Sequence, residues 1–85
     1  FKLHQNYPNT FNPVTKFIFE VAKQGFVKLI VYDVTGKEMA VLINQPLNPG
    51  SYQVDWNAVN FPSGAYFYRM DAGNFIKVKK CILLK

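Results

Sequence analysis

Val27-Lys28-Leu29-Ile30-Val31-Tyr32-Asp33-Val34-Thr35-Gly36 carries the strand-and-turn pattern on which the fold class rests. Val27, Leu29 and Val31 alternate with Lys28, Ile30 and Tyr32. That period of two is the strand period, in which successive side chains fall on opposite faces. Asp33 to Gly36 then reverses the chain, because glycine accepts the positive φ that follows a type I turn in a hairpin.

The same pattern extends in both directions. Upstream, Phe17, Phe19 and Val21 alternate with Lys16, Ile18 and Glu20. Downstream, Met39 to Ile43 is a short apolar run, and Tyr52, Val54 and Trp56 alternate with Gln53 and Asp55. Tyr66, Tyr68 and Met70 alternate with Ala65, Phe67 and Arg69, a strand that is largely apolar on both faces. The last run, Phe75 to Leu84, is less regular, and adjacent Lys79 and Lys80 suggest a bulge or twist there. Asn48-Pro49-Gly50 and Pro62-Ser63-Gly64 place proline and glycine as type II turns require, and Asp71-Ala72-Gly73-Asn74 closes a final hairpin. β-branched and aromatic residues dominate, and no capping box precedes an apolar run, so no segment reads as helix. The fold class is all-β: a small antiparallel β-sandwich of about seven strands.

Residues 14–85 are read as the sandwich and 1–13 as an ordered junction loop. Pro8 and Pro13 forbid regular ladder bonding and push the residues before them to extended conformations. Tyr7 and Phe11 are expected to lie against one end of the sandwich, with Asn6, Asn9 and Asn12 folded back as Asx-turns. The chain has 85 residues and fourteen aromatics (eight Phe, five Tyr, one Trp). A domain of this size buries only about 60% of its unfolded surface, so the aromatics are needed in the core. A sugar-binding platform built from Trp56, Tyr66, Phe67 and Tyr68 is the less favoured use of them. The start at Phe1 without a methionine is consistent with a piece of a longer secreted protein. No apolar run is long enough to span a membrane.

Little here carries chemistry. Five acids, Glu20, Asp33, Glu38, Asp55 and Asp71, are scattered, and Asp33, Asp71 and Glu38 sit in or beside turns. His4 is the only histidine and Cys81 the only cysteine, so neither a disulfide nor a cysteine-based metal site is available. Loop Asp and Asn residues read as turn formers rather than calcium ligands. No catalytic residue, cofactor or metal is expected. The net charge of +5 comes mostly from lysines, with Lys77, Lys79 and Lys80 clustered. Such charge can draw anionic partners such as nucleic acid or lipopolysaccharide. A solvated strand face that discourages edge pairing is the preferred reading, and no nucleic acid is expected as a partner.

The linear order of motifs carries the argument further. Gln5-Asn6-Tyr7-Pro8-Asn9 with Phe11-Asn12-Pro13, Val31-Tyr32-Asp33 with Gly36-Lys37-Glu38, and Gly50-Ser51-Tyr52 with Val54 and Trp56 come first. Ser63-Gly64-Ala65-Tyr66-Phe67-Tyr68-Arg69 and the closing Lys80 to Lys85 complete the series. From about Gln5 onward this series resembles the type A C-terminal sorting domains of the type IX secretion system. It departs at Thr10, where the family commonly has proline, and at Cys81, where an apolar residue is usual. A fainter resemblance to the immunoglobulin-like domain of flagellar hook-capping proteins lies in the hairpin residues and Ser63-Gly64.

The resemblance implies an immunoglobulin-type sandwich that is not an enzyme and needs no cofactor. It implies a secretion signal, recognised by the outer-membrane translocon, that carries an attached N-terminal cargo from the periplasm to the cell surface or medium. A surface peptidase is the further partner it implies. Recognition is expected at Gly64, Lys79, Lys80, Leu84 and Lys85, with the last strand offering its backbone edge. A non-catalytic accessory module, carbohydrate-binding or structural, is the alternative.

Overall fold

The alternating runs fold as strands in a computed structural model that describes residues 1–85. Six long strands are β3 (Val14–Val21), β4 (Gly25–Tyr32), β5 (Glu38–Leu47), β6 (Gly50–Asn57), β7 (Gly64–Ala72) and β8 (Phe75–Leu83). The opening segment adds two short strands, β1 (Lys2–Leu3) and β2 (Thr10–Phe11), which bring the total to eight rather than about seven. β1, β3 and β6 form one sheet, and β2, β8, β7, β4 and β5 form the other. Each of β3, β4, β5 and β6 lies in a different sheet from at least one chain neighbour, as a sandwich requires, and the order is that of an immunoglobulin-type domain. All pairings are antiparallel except β2 with β8, a two-residue parallel contact that joins the start of the chain to its end.

The period-two prediction is met on the inner faces. Phe17, Phe19 and Val21 of β3 pack against Val27, Leu29 and Val31 of β4 and Tyr66, Tyr68 and Met70 of β7, all buried. The Phe17 and Tyr68 rings lie 4.4 Å apart. Trp56 sits among Phe11, Phe61 and Tyr66, with centroids 5.5–5.7 Å away, and Phe17 at 6.3 Å. Such tilted and edge contacts add about 0.5–1.5 kcal/mol per pair beyond area burial. Trp56, Tyr66 and Tyr68 are therefore core residues and cannot present a glycan platform.

Turn chemistry differs from expectation in two places. Gly50 and Gly64 have φ of +154° and +150°, not the value near +80° of a type II turn. In each case the tyrosine two residues on donates its hydroxyl back across the connection, Tyr52 to the Asn48 carbonyl and Tyr66 to the Pro62 carbonyl. These are tyrosine corners, and they brace two of the crossings between sheets, β5 to β6 and β6 to β7. The other turns follow their sequence. Gly36 has φ +86°, and Asp33 Oδ1 accepts from the Thr35 N–H, the Thr35 hydroxyl and the Lys37 N–H. Gly73, at φ +63° in the two-residue β7–β8 loop, supplies the first central position of a type II′ turn.

The bulge expected at Lys79 and Lys80 is absent. β7 and β8 stay in register from Gly64 opposite Leu83 to Ala72 opposite Phe75. The irregular pairing falls instead between β4 and β5, near Leu29–Ile30 and Val31–Tyr32.

Cys81 takes the inward position opposite Tyr66 and is fully buried. Burial alone pushes its thiol up to about 12. At pH 8 the native thiol should therefore react with a thiol reagent at least about 1000-fold more slowly than the unfolded chain. Stopped-flow labelling with and without denaturant measures this ratio, and similar rates in both would contradict the packing described.

Candidate recognition surface

Two polar residues lie in this apolar interior, Asn6 and Thr15. Thr15 shares the inward face of β3 with Phe17 and Phe19, so its hydroxyl needs a partner inside the protein. It donates to the Pro8 carbonyl at 2.8 Å and accepts from Asn6 Nδ2 at 2.9 Å. Asn6 Nδ2 also reaches the Pro8 carbonyl at 2.9 Å and the Asn9 carbonyl at 3.3 Å. The Asn6 N–H donates to the Tyr68 hydroxyl at 2.8 Å, and that hydroxyl donates onward to the His4 carbonyl at 2.9 Å. Gln5 Nε2 bridges Asn6 Oδ1 at 2.8 Å and the Lys80 carbonyl at 2.7 Å. No buried side-chain nitrogen or oxygen is left without a partner.

The opening motif is thus a lock that fastens the first residues onto β3, β7 and β8. Its geometry corrects two expectations. Asn6 acts as a donor to carbonyls rather than closing an Asx-turn, and Asn9 enters through its backbone carbonyl. Tyr7 is exposed, because Asn6 takes the inward direction and alternation turns Tyr7 outward, where its backbone bridges Lys16. Phe11 alone of the two aromatics is buried. The surroundings of Tyr68 leave its hydroxyl hard to ionise: burial, partly offset by the bond from Asn6, raises it to about 12.

The five residues expected to be read by a partner fall into two groups. Gly64, Leu84 and Lys85 meet at one end of the sandwich. The Lys85 N–H donates to Ser63 Oγ at 3.0 Å, its ammonium reaches the Val59 carbonyl, and the Leu84 N–H donates to the Phe11 carbonyl at 3.0 Å. The Leu84 side chain stays 61% exposed. Lys79 and Lys80 lie farther up β8 and point to opposite faces. Lys79 is half-buried on the inner side opposite Tyr68, whereas Lys80 is exposed opposite Phe67.

The backbone edge of β8 is less open than expected. β2 pairs with Ile82 and Leu83, and Gln5 occupies the Lys80 carbonyl. The uncovered part, Phe75 to Lys79, carries Lys77 and Lys79 on its inner side, a placement that discourages further strand pairing. The free backbone edge of β8 is therefore short and flanked by lysines.

At the opposite end Phe1 stacks on Phe75 at 5.8 Å. A cleft of about 540 Å³ lies there, lined in part by Phe1, Lys23, Phe26 and Phe75. His4 Nε2 and Glu20 Oε2 are 2.7 Å apart on the surface, and this bond is the main cause that lowers the Glu20 carboxyl below its ordinary 4.5. Asp33 is lowered from 3.8 chiefly by its bond to Thr35. Both shifts have the same sign. The stability they confer is present above the ordinary carboxylate range and is lost as pH falls through the lowered values.

The first and last segments of this small sandwich are bonded to each other through β2 and β8. The chain matches the family model described as the secretion system C-terminal sorting domain over residues 5–84, and it belongs to that family. This domain is the C-terminal sorting signal of type IX secretion, and proteins that carry it are exported to the cell surface or the medium. Such a signal is not itself catalytic, acts on an attached cargo, and works in the setting of the type IX machinery. Neither the curated proteins nor the solved structures contain a match.

Proposed function

We propose that the outer-membrane translocon reads the end of the sandwich formed by Gly64, Leu84 and Lys85, with Lys80 as an accessory charge on the outer face. The observation that carries this reading is the pinning of Lys85. Its backbone and ammonium are both held to the β6–β7 connection while the Leu84 side chain stands in solvent. A backbone already held on either side of an exposed apolar side chain loses less freedom on binding, which favours specific recognition. Gly64 holds the connection at φ +150°, a conformation that other residues rarely adopt, and so fixes where Ser63 meets the chain end. Lys79, half-buried and inward, serves the fold more than a partner.

The two ends are well separated. β7 runs from Gly64, beside Leu84 and Lys85, to Ala72, beside Phe75 and Phe1, a span of roughly 26 Å at strand rise. A cargo joined ahead of Phe1 is therefore attached at the end opposite the one proposed to be read. A surface peptidase would act on the cargo side.

Deleting Leu84 and Lys85 separates recognition from folding. Two exposed hydrogen bonds of Lys85 and the Leu84 N–H bond to the Phe11 carbonyl are lost, so the melting temperature should fall by no more than about 10 °C. Export of an attached reporter should nevertheless be abolished. Normal export of the truncated, folded domain would show that these residues are not read.

A further inference from the structure

The outer face of the five-stranded sheet interleaves exposed apolar side chains with charges that form a pattern. Strand register arranges it in rows. Lys80, Phe67, Tyr32 and Glu38 share one row across β8, β7, β4 and β5. Val78, Arg69, Ile30 and Val41 share the next. Ile76, Asp71, Lys28 and Asn44 share the third. Ile76, Val78 and Val41 are about half exposed, at 53%, 50% and 49%.

We infer that this face binds a second copy of the chain, about a two-fold axis that lies in the interface and runs along the strands between β7 and β4. The charge pattern selects that axis. The rotation exchanges β8 with β5 and β7 with β4 while keeping each row. Lys80 of one copy then faces Glu38 of the other, and Asp71 faces Lys28, each pair occurring twice. Phe67 meets Tyr32 in the same operation, and Val78 meets Val41. Arg69 lays its stem along Ile30 and keeps its guanidinium near Asp71, 3.5 Å away within its own chain. A two-fold axis across the strands would instead place Phe67 on Asp71 and Tyr32 on Lys28, which strands the charges. Aligned sheets pack at about 30°, which offsets the outer strands by roughly 4 Å, within the reach of a lysine side chain.

The size of the face sets the strength. Four strands and three rows cover about 19 by 20 Å at strand spacings, roughly 800 Å² for the pair. That lies below the range of stable complexes and corresponds to a weak, reversible dimer. The inference is independent of the sorting reading.

Sedimentation velocity on the 85-residue domain, from about 10 µM to about 1 mM, tests it. The sedimentation coefficient should rise with concentration. Glu38→Lys alone and Lys80→Glu alone should each weaken association by about tenfold, since each sets like charges face to face. An equimolar mixture of the two variants should recover it, because every pair is then opposite in sign. Far-UV circular dichroism verifies that both variants fold. A domain that stays monomeric at the highest concentration would overturn the inference and leave the face to a different protein. So would association that ignores the reversals, or variants that fail to complement in mixture.

Discussion

Asn6→Asp should cost the domain about 3–5 kcal/mol at pH 7, although it changes one atom of a side chain only 2% exposed. The amide donates toward the Pro8 and Asn9 carbonyls and Thr15 Oγ1. A carboxylate of the same shape turns an acceptor toward two carbonyl acceptors in a site closed to water. Asn6→Ala should cost less, about 2–4 kcal/mol, because it leaves carbonyls unsatisfied without burying a charge. Either is a large share of the roughly 4–13 kcal/mol that 85 residues ordinarily provide.

The aspartate variant has a pH signature that the alanine variant lacks. Desolvation and facing carbonyls raise the folded-state pKa of the introduced carboxyl above its unfolded value of about 4. Its penalty is thus greatest above the folded pKa and shrinks as pH falls through it, when a protonated carboxyl can donate to Pro8 or Asn9. Urea unfolding followed by the fluorescence of Trp56, the only tryptophan, gives the difference from the natural chain at each pH. The gap should narrow on acidification for Asn6→Asp and stay constant for Asn6→Ala. An aspartate variant as stable as the natural chain at pH 7 would mean that this network does not hold the opening segment.

Trp56→Ala should have an effect of similar size, about 3–5 kcal/mol, with a fall in melting temperature of roughly 15–30 °C. Trp56 is the ring on which Phe11, Phe17, Phe61 and Tyr66 converge. Its removal leaves a cavity bounded by rigid rings on both sheets, which cannot collapse without breaking strand register. It also frees Phe11, and with it β2, the strand that ties the chain's start to β8. Val78→Ala on the outer face provides the contrast: half exposed, it should shift stability by no more than about 0.5 kcal/mol. Thermal unfolding by circular dichroism compares them, and a small effect at Trp56 would contradict the core described.

Much of this was legible in the sequence, for a physical reason. β3, β4, β6 and β7 carry enough alternation to show which face is buried, whereas β5 was visible only as the short apolar run Met39 to Ile43 and β8 only as an irregular one; the Asp33 and Gly73 turns are set by residues within four positions of each other. What stayed hidden depends on distant partners. β1 and β2 have two residues each, too few to show a period, and β2 exists because Ile82 and Leu83 lie beside it. The irregular pairing at β4–β5 arises from the register of two strands together, which neither reveals alone. The tyrosine corners explain why Gly50 and Gly64 miss the type II geometry that proline and glycine suggested. One part of the lock was visible: Thr15 falls on the apolar face of β3, and a polar residue there demands a buried partner. That the partner is Asn6, and that Tyr68 joins them, follows only from the fold. Of the residues proposed for recognition, Lys80, Leu84 and Lys85 are exposed, whereas Lys79 is turned inward by the unbroken register of β8.

The account rests most directly on sorting, and one measurement addresses it: the location of a reporter carrying a periplasmic signal at its front and residues 1–85 at its end. It would be expressed in a type IX-competent host and in the same host lacking the translocon. Sorting requires reporter at the surface or in the medium of the first strain, and reporter held in the periplasm of the second. Reporter retained in the periplasm of both strains, with the domain folded, would contradict it.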